Sequence, residues 1–255
     1  VSDFASLCLL SFNRPRFLET AIDSLVRHAG APFELIVHDD GSSGEERRDI
    51  EAFLNGMLEE GHVSTVIYNP PGHNQGQGIA LNRMFGMAKG DPIIKLDHDL
   101  IFGADWLAKT NEILERNRRT KRKKDTGADY AEPRIGLLGL FHYHYEPVAS
   151  MKCKRAQWRG WQEHTHICGS AFAMPREAWR RLGPFEEHSD AFAEDYVMQL
   201  AVTNSDDYVC GLPDEDLMEN QGFGYGRSTL ALAPDKVQTI HKEPFVIGRP
   251  EEVPA

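Results

Sequence analysis

Two carboxylates separated by a single residue, Asp97-His98-Asp99, follow the apolar run of residues 92–96. Acids leaving the end of a buried strand face a ligand crevice, where uncompensated negative charge is costly. A hard divalent ion with oxygen ligands, joined by phosphate, offsets that cost. Such ions bridge phosphate oxygens and take up the charge that builds on a leaving diphosphate. The same triplet also suits a solvated turn, or the approach to a helix opening near Asp105. A second acidic pair, Asp39-Asp40-Gly41-Ser42, closes another apolar run. A carboxylate there can accept a hydrogen bond from the imide N–H of uracil, or cap the helix that follows. Asn74-Gln75-Gly76, with Ala80 and Asn82 beyond it, forms a third polar group after a third apolar run.

The elements that must position these groups follow from periodicity. Residues 6–12 are a nearly continuous apolar run of strand length, the pattern of a strand buried on both faces. Pro15 suits the first turn of a helix, Leu18, Ile22 and Leu25 repeat at helical spacing, and Gly30 ends it. Residues 33–38 read as a second strand. A helix from Ser43 follows, with Glu46 placed for a capping box. Residues 63–68 are a third strand, a helix runs from Ile79 to Gly90, and residues 92–96 are a fourth strand. This alternation predicts an α/β fold with a parallel sheet, helices on both faces and ligands at the strand C-termini. Farther on, residues 135–140 and 171–174 read as strands, 175–182 and 193–202 as helices, and 236–241 as a last strand.

At 255 residues and a net charge of −11, the chain fits one domain and does not suit a surface that binds nucleic acid or anionic membrane as a whole. Charge is uneven, however: seven of the nine residues from 116 to 124 are Lys or Arg. Such a block reads as an exposed basic loop, here over residues 116–127. No apolar run approaches the roughly 20 residues that span a bilayer, and no leader is legible, so a cytoplasmic protein is the expectation. Cys8, Cys153, Cys168 and Cys210 are too widely spaced for a zinc ribbon or a small disulfide scaffold. His164, His166 and Cys168 would share one strand face, if a strand forms there, but no fourth metal ligand stands at a recognisable spacing. Gly76-Gln77-Gly78 does not complete a dinucleotide loop, because position 81 is Leu.

The run from Ser6 to Asp99 resembles glycosyltransferase family 2. It carries Leu-Leu-Ser-Phe-Asn-Arg-Pro, Val-His-Asp-Asp-Gly-Ser, Asn-Gln-Gly-x-x-x-Ala-x-Asn and Gly-Asp-Pro-Ile-Ile-Lys-Leu-Asp-His-Asp in the family's order. The second half resembles it more loosely, through the small residues after Gly169, an Arg-containing helix with Gly-x-Phe, and Glu194-Asp195. The resemblance extends to His241. It implies the GT-A fold: a Rossmann-like, mostly parallel sheet with helices on both faces and a smaller mixed sheet on the acceptor side. Residues 1–100 would form the nucleotide-sugar half, and residues 101–255 the half for acceptor and catalytic base.

The resemblance also implies roles. Ser11, Asn13, Arg14, Asp39, Asp40, Asn74, Gly76, Asn82 and Asp97 would hold a nucleotide-sugar, with a UDP-sugar favoured. Asp97, Asp99 and His241 would bind Mn²⁺ or Mg²⁺. Asp195 would be the general base of an inverting transfer, with Glu194 helping to position it or the acceptor. Trp158 and Trp161 lie where the family keeps a variable acceptor segment, and their faces suit stacking on a sugar or base, or the core. The acceptor is expected to be a glycan or small molecule, or a polyanion such as hydroxymethylated DNA on Arg118, Arg119, Lys121 and Arg122. A Gln-x-x-Arg-Trp segment, the mark of processive synthases, is absent, which points to transfer of one sugar. The competing reading is a non-catalytic nucleotide-sugar or glycan-binding module on the same fold.

Overall fold

The computed structural model describes residues 3–120, 132–141, 154–187 and 194–220. Strand β1 (Ala5–Ser11) is buried along its whole length. Leu7 and Leu9 face one core cluster, Cys8 and Leu10 the other, so both faces of the strand are apolar. β1 pairs in parallel with β2 (Phe33–Asp39) and β4 (Ile93–Asp97), and β2 pairs in parallel with β3 (Thr65–Tyr68). The crossovers are α1 (Pro15–His28), α2 (Gly44–Glu59) and α3 (Gln77–Met87). Leu18, Ile22 and Leu25 of α1 and Ile50 and Leu54 of α2 cover one face; Leu81, Met84 and Phe85 of α3 cover the other. Burying each such side chain contributes about 1.5–3 kcal/mol. Parallel pairing with crossovers on both faces brings Ser11, Asp39, Tyr68 and Asp97 to one end of the sheet.

Beyond β4 the sheet changes direction. The order is β3-β2-β1-β4-β9-β6-β10-β8-β7, with β6 (Arg134–Gly139), β7 (Lys154–Trp158), β8 (Trp161–His164), β9 (Ala171–Met174) and β10 (Tyr208–Pro213). β9 runs antiparallel between β4 and β6, with Ala171 opposite Leu96. The segment entering β9 therefore lies beside the C-terminal end of β4, and the Asp97 N–H donates to Ser170 O at 2.9 Å. β10 is parallel to β6, and β8 and β7 continue antiparallel from it. A small second sheet joins β5 (Leu100–Phe102) to β11 (Met218–Asn220). The described residues also form the helices α4 (Trp106–Arg119), α5 (Arg176–Leu182) and α6 (Glu194–Thr203).

The architecture is the expected mixed α/β sheet, with its wholly parallel part, β3-β2-β1-β4, formed by the first half of the chain. Several local expectations change. Ser43 occupies the N-cap of α2, but its side chain makes no capping bond; its N–H instead donates to Asn13 Oδ1 at 3.2 Å. The basic segment is not a loop throughout, because α4 continues to Arg119. No strand carries His164, His166 and Cys168 together: β8 stops at His164, and Ile167 N–H is tied to Gln199 Oε1 at 2.8 Å. Cys8, Cys168 and Cys210 are free and buried. The expected strand at 236–241 lies outside the described residues.

Candidate active site

At the end of β4, Asp97 is half-buried and Asp99 is 7% exposed. Each has a cation within the chain. Lys95 Nζ lies 2.6 Å from Asp97 Oδ1, and the Arg14 guanidinium stands 3.5 Å from Asp99 Oδ2. The ring of His98 between them turns away, its Nδ1 3.1 Å from Leu10 O. Burial raises the pKa of Asp99 and lowers that of His98, since both charged forms lose water. Hard divalent ions of the magnesium type bind through one or two carboxylates plus substrate phosphates. Asp97, with 22% of its side chain exposed, and Asp99 fit that donor set. Among the described residues no group of three or more His, Cys, Asp or Glu could hold a metal. His241 lies outside the described residues.

The second acidic pair divides its labour. Asp39 is fully buried; Oδ2 accepts Ser42 N–H at 3.1 Å and Arg47 at 2.8 Å, and Oδ1 accepts the Ser42 hydroxyl. Burial raises its pKa, and the Ser42 and Arg47 contacts oppose that rise. Both oxygens are taken up by the turn and by α2, so Asp39 offers no face to a base. Asp40, 5% exposed, accepts Asn69 Nδ2 at 2.6 Å and Gln75 N–H at 2.9 Å on Oδ1, and Gly76 N–H at 3.0 Å on Oδ2. It thereby fixes the loop of Asn74 and Gly76 against the end of β2; Asn74 Oδ1 also accepts Gly76 N–H, at 3.0 Å. Gly41, at φ +88°, lets this turn approach His73, whose backbone would lie 2.7 Å from a Cβ.

Asn13 adopts φ 51° and donates its N–H to Ser42 Oγ at 2.8 Å, which locks the β1–α1 turn to the β2–α2 turn. Ser11 is 2% exposed, and its Oγ has no hydrogen-bond partner among the described residues. Asn82 is a brace to the other half: its amide donates to Phe185 O and Glu187 Oε1 and accepts Phe185 N–H, all within 3.0 Å. Sequence reasoning missed Arg47, Asn69 and Lys95. All three hold acids of the site, and only Arg47, at a helical position beside an acidic strand end, carried a legible signal.

Glu194 and Asp195 open α6, where the helix N-terminus favours negative charge. Glu194 is 3% exposed, and its carboxyl is pushed up to about 7 by burial, against the pull of Lys95. Asp195 is also raised by burial and is drawn down by Lys95 and by the N–H of Tyr196, which donates to Oδ1 at 2.7 Å. His166 stands near it, edge-on to the Tyr196 ring at 6.0 Å, its own pKa lowered by burial. Acids from the end of β4 and from α6 thus both act on one buried ammonium, that of Lys95, with Asp97 in direct contact.

The expected acceptor residues are not brought there. Trp158 and Trp161 stack at 6.0 Å on β7 and β8. β8 is four strand positions from β4, about 19 Å at ordinary strand spacing. Trp161 is fully buried, and its indole N–H donates to Glu132 at 2.7 Å. It belongs to the core and has no face for an acceptor. Arg118 pairs with Asp91 at 2.7 Å and Glu115 at 3.1 Å; Arg119, mostly exposed, reaches Glu115 at 3.1 Å. Lys121 and Arg122 lie outside the described residues.

The family model for glycosyl transferase family 2 matches residues 6–183. Over 86 residues the chain is 38% identical to the undecaprenyl-phosphate 4-deoxy-4-formamido-L-arabinose transferase of Proteus mirabilis, covering 34% of this chain and 24% of that protein. The solved mannosyltransferase PcManGT from Pyrobaculum calidifontis, in complex with GDP-Man and Mn²⁺, superposes with a TM-score of 0.54 at 15% identity, over 84% of this chain and 55% of that one. GalNAc-T7 with UDP, GalNAc and Mn²⁺ gives 0.53 at 17% identity, over 83% and 42%. The chain spans about a quarter of the first curated relative and about half of the first solved one. At these identities the solved structures speak for the fold alone.

Proposed function

The chain belongs to glycosyl transferase family 2, and from that premise we propose that it transfers one sugar from a nucleotide-sugar to an acceptor hydroxyl with inversion. The observation that carries the proposal is the meeting of two acid sets around Lys95. Asp97 and Asp99 come from the end of a parallel strand, Glu194 and Asp195 from a helix N-terminus. A divalent ion held by Asp97 and Asp99 would supply charge stabilisation for the departing diphosphate. PcManGT and GalNAc-T7, which share the fold, were solved with Mn²⁺, in keeping with a divalent ion as cofactor. A nucleotide would lie along the C-terminal ends of β1, β2 and β4. There Asp40 orders the Asn74–Gly76 loop, while Asp39 braces the turn from beneath.

Asp195 takes the proton from the acceptor hydroxyl as that oxygen attacks the anomeric carbon. A base works best with a pKa near the operating pH, and burial moves both α6 acids in that direction. Glu194, the more deeply buried, orients Asp195 or the acceptor. A neutral glycan or small-molecule hydroxyl is favoured over a polyanion, because Asp91 and Glu115 already pair the cations Arg118 and Arg119.

The test is nucleotide release from a panel of UDP-, GDP- and dTDP-sugars with Mn²⁺, with and without glycan acceptors or hydroxymethylated DNA. Release stimulated by one donor and acceptor pair is expected, with UDP-sugars the first candidates. Tight donor binding without release under any condition would instead identify a non-catalytic binding module.

A further inference from the structure

Lys95 is 2% exposed, on a strand whose other described residues up to Leu96 are apolar. Its ammonium donates to Gly169 O at 2.6 Å as well as contacting Asp97 Oδ1 at 2.6 Å. Gly169 in turn lies flat against Asp195: a Cβ built on it would fall 1.6 Å from Asp195 Oδ2 and 2.5 Å from its Cγ. A side chain at position 169 would have to push the Asp195 carboxylate out of this place. An unbroken line of contacts therefore runs Asp97–Lys95–Gly169–Asp195, from the last residue of β4 to the first turn of α6.

We propose that Lys95 and Gly169 are positioning residues that hold the donor-side Asp97 and the base Asp195 at a fixed separation. The inference rests on the reading of Asp195 as base, and it adds the device that sets the base's distance from the donor. Reaction between a held donor and a held acceptor depends steeply on geometry, and a displacement of 1 Å costs about 10²-fold in rate. Asp97 and Asp195 lie about a hundred residues apart in sequence and on different elements, so their spacing needs a common support. A lysine serves because its ammonium has several donors on a flexible stem. Its charge also offsets the acids packed around it. Asp195 is faced by Lys95, Asp97 and His166 as well as by Glu194 on its own helix.

Two variants separate positioning from general structural damage. Gly169→Ala pushes the Asp195 carboxylate aside without altering a charge. It is expected to lower kcat by about 10²-fold with the donor KM within about twofold. Lys95→Met keeps the stem and removes the ammonium. It should lower kcat and move the acid limb of the kcat–pH profile to higher pH, because the base loses its cation. A readout independent of turnover comes from melting temperatures. Gly169→Ala should lower Tm in the native background and have little effect beside Asp195→Ala, where the obstructing carboxylate is gone. Equal Tm losses in the two backgrounds would overturn the proposal, as would a Lys95→Met enzyme with an unchanged pH profile and kcat. If no donor is turned over by the native protein, the transferase reading fails, and the Tm cycle alone decides whether the contact line exists.

Discussion

Glu194 sits in the first turn of α6 with its carboxyl pushed up to about 7, while the same group in an unfolded chain titrates near 4.5. A carboxyl raised on folding favours the folded state while it stays protonated. That contribution is complete below the unfolded value and is lost as pH rises through about 7. Asp99 and Asp195 are raised in the same direction. The native protein should therefore melt at a lower temperature at pH 8 than at pH 6. A tenfold difference in proton affinity between the folded and unfolded chain corresponds to about 1.4 kcal/mol, and each kcal/mol moves Tm by roughly 2–4 °C in a chain of this size. Glu194→Gln should flatten the pH dependence, as read by thermal melts across pH 5–8. A slope that survives this variant in full would assign it elsewhere. Asp99→Asn keeps the shape of the donor end and removes a charge. Several kcal/mol of leaving-group stabilisation depend on that charge, so a loss of at least about 10²-fold in kcat/KM is expected. Metal-dependent release that persists undiminished would move the ion away from Asp99. The acids were legible because their types and strand-end positions are local. Lys95 was not, since a lysine inside an apolar run carries no sign of what will cover it; β9 and α6 do so from more than seventy residues away.

Among the elements, the first half followed its periodicity closely. Leu18, Ile22 and Leu25 face the core as spaced, and the strands ending at Asp39 and Asp97 lie within a residue or two of their expected limits. The second half was harder for physical reasons. β10 reads Tyr-Val-Cys-Gly-Leu-Pro, with a glycine and a proline that speak against a strand. It forms a ladder on each side, with β6 and β8, and the bare Gly211 leaves room for Trp161, which lies 2.8 Å from where a Cβ would stand. β7 is mostly polar and, among the described residues, pairs with β8 alone, at the edge of the sheet they form. Neither signal is visible before the partner strand is known. The two halves are joined by α3, whose Gly78 lies under the loop after α5: a Cβ there would fall 2.0 Å from Glu186 O. Asn82, one turn on, ties the same loop through Phe185 and Glu187. Backbone cannot yield as a flexible side chain can, so Gly78→Ala should cost about 1–3 kcal/mol. A Tm drop of several degrees in differential scanning fluorimetry is the expected result. An unchanged Tm would mean that this loop is free to leave α3.

For the whole molecule the deciding quantity is charge. The chain carries −11 overall, although seven cations crowd residues 116–124. Those that the structure describes do not stand free. Arg116 donates to Arg159 O and pairs with Glu112, Arg118 bridges Asp91 and Glu115, and Arg119 meets Glu115. Local cations with acidic partners attract a phosphate chain weakly, and the remaining surface repels it. A neutral acceptor and a polyanionic one then differ sharply in salt dependence. An acceptor making six or more phosphate contacts would lose about 10³-fold or more in affinity between 50 and 200 mM salt. A sugar hydroxyl recognised by hydrogen bonds releases no counterions. Measuring acceptor KM across that range, at constant free Mn²⁺ and saturating donor, separates the two classes. KM changing by less than about threefold is expected, since surface pairs that bind no phosphate leave only general screening to act. A steep rise in KM, abolished by replacing Arg119, Lys121 and Arg122 with Gln, would transfer the acceptor site to the basic segment. It would also identify that segment as the part of the surface that overrides the net charge.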